Sequence, residues 1–173
     1  MENQEKTKEE NCPCPSWFKL ATCVILYRHN NDSDEQEFLL IKRKKGEIEG
    51  GKWAIPGGTG AFKKKENGEL TKDILDFVEE EIRYDLGIYI SDEELASYRF
   101  SIDSEKKILT AFFYCNGEKS KYREKKTSGN AIDGYAWFSR LKIGKMNERG
   151  EIAFDGGEVL DKFWKEVFSK MFT

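Results

Sequence analysis

Apolar residues fall along the chain in short blocks, and the spacing inside each block changes from one block to the next. Residues 18–27 are an almost unbroken run rich in Leu, Ala, Val and Ile, which predicts a buried strand. A turn rich in Asn, Asp and Ser follows at 29–35. A second strand at 37–43 then forms a hairpin with the first. A charged, Gly-rich loop at 46–52 leads to a short strand at 53–55. Pro56-Gly57-Gly58 predicts that this strand stops in a tight turn. Residues 59–68 form a Lys-rich loop, with Lys63-Lys64-Lys65 read as a solvated run.

Residues 71–86 have helical spacing, with Gly87 as the stop. Strands are predicted at 97–102, 108–115 and 135–138, with a long basic loop at 118–130 before the last. Residues 158–172 form the clearest helix: Leu160, Phe163, Trp164, Val167, Phe168 and Met171 recur at three and four, a core-packing stripe. Residues 1–15 are polar and end in Cys-Pro-Cys-Pro, read as a flexible tail. That leaves a single domain over 16–173. Mixed strands with two helices and no internal repeat give an α+β class.

Composition narrows the functional classes. The 173 residues are 38% hydrophobic and 13% aromatic, enough for a sizeable core despite 35% charged residues. Lys plus Arg number 29 against 32 Asp plus Glu, so the net charge of −3 argues against a DNA-binding partner. No apolar run approaches a membrane span. Met1 to Asn11 has no apolar centre like that of a signal peptide, so the expected location is cytoplasmic. The four cysteines (Cys12, Cys14, Cys23 and Cys115) form no CxxC pair, which weighs against a zinc site. His29 is the single histidine, and its polar surroundings read as an exposed loop rather than a catalytic triad.

The first helix carries the most suggestive chemistry. With Ile74 set at 0°, Leu75, Val78, Ile82 and Leu86 cluster between roughly 40° and 120° as one apolar face. Glu81 falls near ~340° and Asp85 near ~20°, one turn apart on the shoulder of that face. Two carboxylates at i, i+4 with no basic residue between them repel each other. A divalent cation relieves that repulsion, and Mg²⁺ is commonly held by one or two carboxylates plus substrate phosphate. On spacing alone, two solvated acids are the simpler reading.

The segment before the helix changes the weighing. Trp53-Ala54-Ile55-Pro56-Gly57-Gly58, then Gly68-Glu69, then Glu80-Glu81-Ile82-Arg83-Tyr84-Asp85-Leu86-Gly87-Ile88 resembles the Nudix hydrolase motif G-x5-E-x7-R-E-U-x-E-E-x-G-U, with U a bulky apolar residue. Lys42-Arg43 closing a strand, Trp137-Phe138, Phe154-Asp155 and the C-terminal helix extend the resemblance over 18–172. The motif is expanded and degenerate. Gly58 and Glu69 are eleven positions apart instead of six, as are Glu69 and Glu80 instead of eight. Glu80 replaces the motif's Arg, Tyr84 replaces a glutamate, and Asp85 replaces another.

The resemblance implies an α/β/α sandwich with a mixed sheet. It also implies Mg²⁺- or Mn²⁺-dependent hydrolysis of a nucleoside diphosphate linked to another group. Glu81 and Asp85, with the Gly58 carbonyl, are the implied metal ligands. Glu81 is the implied base, and Glu124 and Asp133 are alternatives on a later loop. Arg43, with Lys42 beside it, is the implied contact to phosphate or base. Gly57, Tyr84 and either Trp53 or Phe62 are candidate substrate contacts. A nucleotide-binding or regulatory module with weakened catalysis is the second expectation. The isopentenyl diphosphate isomerase branch is excluded, because it needs several metal-binding histidines and a cysteine beside the motif. The apolar strands permit a homodimer.

Overall fold

A computed structural model describes residues 19–60, 74–118, 121–122 and 132–171. The expected tail, Phe62, Lys63 to Lys65, Glu69, the helix start at 71–73 and Glu124 lie outside the described residues. Among those described, no helix is long and apolar enough to cross a membrane.

The chain begins with β1 (Lys19–Asn30), β2 (Glu35–Arg43), β3 (Trp53–Ala54) and β4 (Gly57–Gly60). Helix α1 (Ile74–Leu86) precedes β5 (Ile88–Tyr89), β6 (Ala96–Asp103), β7 (Ile108–Asn116), β8 (Lys121–Tyr122) and β9 (Ile132–Ser139). Helices α2 (Arg140–Glu148) and α3 (Gly156–Phe163) follow, and α3 runs on through a π-helical turn at Trp164–Phe168. Seven strands form one sheet in the order β3-β2-β1-β7-β6, with β4 also on β1 and β9 also on β2. β1 and β7 are parallel and the other pairings antiparallel, so the sheet is mixed.

Both faces of the sheet are covered, which explains why its central strands read as unbroken apolar runs. Val24, Leu26, Leu39, Ile41, Ala111 and Phe113 pack under α1 against Val78, Ile82 and Leu86. Their neighbours Ile25, Phe38, Leu40 and Phe112 pack on the other face against Ile143 and Met146 of α2 and Val159, Leu160 and Phe163 of α3. The result is an α/β/α sandwich with two cores.

Four local expectations are corrected. Gly57 and Gly58 do not reverse the chain; they run extended in β4, paired with Cys23 and Thr22. β1 pairs with β2 only from Tyr27 onward, and Ile55-Pro56 carries the chain across to the earlier part of the same edge. Gly57 is needed for closeness, because a Cβ there would overlap the Thr22 carbonyl oxygen. Helix α2 is additional: its buried side chains are only Ile143 and Met146, too few to make a legible stripe. His29 belongs to β1, because the hairpin pairs it with Gln36. Lys121–Tyr122, inside the expected basic loop, pairs with β5.

Candidate active site

The apolar stripe of α1 sets the placement of the acids. Val78, Ile82 and Leu86 are about 1% exposed, which locks the helix rotation and turns Glu81 and Asp85 toward the sheet edge at β4. The Glu81 carboxylate lies directly over Gly58, where a Cβ would overlap Oε2. Asp85 is only 8% exposed. Among the described residues, nothing donates a hydrogen bond or forms an ion pair with either carboxylate.

Several effects oppose charge here. Burial raises the Glu81 pKa, and the neighbouring charges of Asp85 and then Glu80 add to it. Burial also raises that of Asp85, partly offset by the Arg43 charge. Asp85 sits in the last turn of α1, where the helix dipole further disfavours an anion. Thr22, the register partner of Gly58, adds a third polar group. It is 1% exposed and its Oγ1 has no hydrogen-bond partner among the described residues. Buried polar groups left unpaired are uncommon and each is costly.

Arg43 approaches from the end of β2. Its side chain points to the α1 face, as alternation from Leu39 and Ile41 requires. Its Nε donates to the Ile48 carbonyl at 2.8 Å, which ties it to the following loop. Its guanidinium lies over the Phe154 ring, 5.3 Å from the centroid. Phe154 has φ 56°, a left-handed backbone that costs a non-glycine residue on the order of 1–3 kcal/mol.

The structure therefore brings Gly58, Glu81, Asp85 and Arg43 together, with Gly57 beneath. Trp53, Lys42 and Tyr84 point elsewhere. Trp53 faces the second core, edge-on to Phe138 at 4.7 Å, with Lys42 over its ring at 5.4 Å. Lys42 and Trp53 thus share the face away from the acid pair. Tyr84 points outward, 60% exposed. Asp133 is an exposed residue at the bulge where β9 pairs with Lys42 and Arg43. No group of three or more His, Cys, Asp or Glu that could hold a metal ion occurs among the described residues. Burial, and then the charge of Asp155, push the Cys23 thiol up to about 12, which disfavours the thiolate.

Sequence reasoning missed Thr22 and Phe154. The signal for Thr22 was a hydroxyl inside an apolar run. Nothing in the local sequence marks Phe154 as left-handed.

No protein-family model matches the chain, and no curated relative does. Solved structures do. The Nudix domain of Shewanella oneidensis NrtR, complexed with ADP ribose, superposes with a TM-score of 0.65 at 13% identity, covering 92% of this chain and 94% of that one. A MutT/Nudix family protein from Listeria innocua gives 0.60 at 20% identity, covering 92% and 98%. A MutT/Nudix family protein from Enterococcus faecalis gives 0.55 at 21% identity over 76% of this chain. The chain spans about half of that protein's length, 47%. What these likenesses share with the chain is its architecture, a mixed sheet between α1 and the α2–α3 pair: the chain has the Nudix fold.

Proposed function

We propose that the chain is a divalent-metal-dependent hydrolase that cleaves the diphosphate bond of a nucleoside diphosphate linked to another group. One observation carries this reading: two carboxylates one helical turn apart, Asp85 buried and Glu81 half-buried over Gly58, have no cationic partner bonded to them among the described residues. Such a pair is unfavourable as it stands and is relieved by a cation. All-oxygen donors suit a hard ion such as Mg²⁺ or Mn²⁺, with substrate phosphate completing its shell. Glu81, Asp85 and the Gly58 carbonyl are the groups that would hold it. A cation there would neutralise diphosphate charge and acidify a bound water.

The chain's own residues have definable parts. Arg43, tethered at Ile48, would donate hydrogen bonds to a phosphate oxygen. Glu81 is the base of choice, since burial favours its taking up a proton. It would accept the proton of a water attacking phosphorus in line while the bond to the other phosphate breaks. The bound ADP ribose in the Shewanella oneidensis NrtR domain supports a nucleotide-sized ligand for this fold. Assay of nucleoside diphosphate derivatives with Mg²⁺ or Mn²⁺, reading release of a nucleoside monophosphate, tests the proposal. No turnover of any derivative would overturn it.

A second reading has its own observation. Tyr84 stands exposed where the motif has a carboxylate, and no third acid joins the pair among the described residues. A nucleotide-binding module without turnover is consistent with this. Tight nucleotide binding without product release would favour it.

A further inference from the structure

Phe154 is held where neither packing nor backbone preference would put it. Its φ of 56° is one that bulky side chains rarely adopt. Phe154 is 56% exposed, although Ile152 and Ala153 before it and Gly156 after it are buried. The flanking backbone is tied down on both sides. The Trp53 N–H donates to the Glu151 carbonyl at 2.9 Å, the Ala153 N–H to the Trp53 carbonyl at 2.7 Å, and the Val159 N–H to the Asp155 carbonyl at 3.0 Å. The surrounding structure thus imposes the strain rather than relaxing it, the pattern expected where a residue serves a ligand. On one side the ring meets the Arg43 guanidinium, and more than half of the residue's surface is exposed.

We infer that Phe154 is a specificity-determining residue whose ring stacks on the heteroaromatic base of a nucleoside diphosphate, with Arg43 held between the ring and the diphosphate. The inference rests on the function proposed above. It adds which part of the substrate this edge of the site reads. A flat ring with one face against a guanidinium extends naturally into a three-layer stack with a base. The fixed backbone holds the platform in place before ligand arrives, so little ordering is needed on binding. Phosphate alone has no flat surface and gains nothing from the ring.

The test uses the full chain with Mg²⁺ and titration calorimetry of two ligands: ADP, which carries base and diphosphate, and inorganic pyrophosphate, which carries no base. Phe154→Asn removes the ring, and asparagine tolerates the left-handed backbone, so melting temperature holds or rises. This variant is expected to weaken ADP about tenfold and leave pyrophosphate unchanged, in keeping with the loss of one base–aromatic stack. Phe154→Trp is expected to retain ADP affinity. Unchanged ADP affinity in Phe154→Asn, or equal weakening of ADP and pyrophosphate, overturns the stacking role and leaves the hydrolase proposal standing. A wild-type chain that binds neither ligand overturns both.

Discussion

The carboxylate of Glu81 rests on the α-carbon of Gly58, across the gap between α1 and β4, with no room for a β-carbon between them. Gly58→Ala therefore displaces the end of a flexible side chain and leaves the backbone in place. Turnover is expected to fall at least tenfold with melting temperature little changed. Gly57→Ala is the contrast, because there the added carbon meets the backbone carbonyl of Thr22. It is expected to destabilise by about 3 kcal/mol, near the upper end for a point substitution. Denaturant titration of both variants separates the two effects.

Glu81→Gln keeps the shape of the side chain and removes its charge. Turnover is expected to drop by roughly two to three orders of magnitude, the scale of losing a proton acceptor. The metal-free protein should melt no lower than wild type, because a repulsive buried charge has gone. Undiminished turnover would remove Glu81 from the mechanism.

Stability in chelator should depend on pH with a defined sign. Burial raises Glu81 above its ordinary 4.5 and Asp85 above its ordinary 3.8, so the folded chain holds these protons more tightly than the unfolded one. Below 3.8 both states are protonated and the contribution is complete. As pH climbs through the ordinary values toward the raised ones, the unfolded state ionises first and stability is lost. Asp85→Asn should flatten that decline. Adding Mg²⁺ at neutral pH should restore stability in wild type and not in the double variant with Glu81→Gln. Thermal melts across mildly acidic to neutral pH, with and without chelator, check both.

Tyr84→Glu restores the acid that the motif has at this position, three residues along the helix from Glu81. Because the side chain at this position points outward, 60% exposed, the added carboxylate is expected to leave Mg²⁺ affinity by calorimetry within about twofold of wild type, although Mg²⁺ seeks six ligands. A several-fold gain would show that the helix presents this position to the ion after all.

What the sequence made legible follows from which forces act locally. The α1 face (Ile74, Leu75, Val78, Ile82 and Leu86) was readable because burial of a helix stripe is periodic, and the same period placed Glu81 and Asp85 on its shoulder. β1 and β2 were readable because strands buried on both faces lose their polar positions. The diglycine segment was misread because glycine marks close approach as readily as reversal, and only the partner strand decides between them. Trp53 looked like a site residue because it stands five positions before Gly58. A strand alternates its sides, though, and alternation sends Trp53 to the other core. Phe154 joins Arg43 from more than a hundred positions away, a relation no local pattern contains.

The parallel pairing of β1 with β7 joins Lys19 to Ile108 and Tyr27 to Asn116, and this has a consequence for the order in which the molecule assembles. The β1–β2 hairpin closes a short loop and has little chain entropy to overcome. The β1–β7 ladder must close one of some ninety residues, a slower event. The Glu81–Gly58 contact requires only β1, β4 and α1, whereas the Arg43–Phe154 stack requires the chain almost to its end. The expected sequence is hairpin first, acid pair on its glycine strand next, and the aromatic edge last. During synthesis, the half proposed to bind metal would thus be shaped before the half proposed to read the base exists. Pulse-labelled hydrogen exchange, with the amides of His29 and Gln36 protected before those of Ala153 and Val159, would bear this out, and the reverse order would refute it.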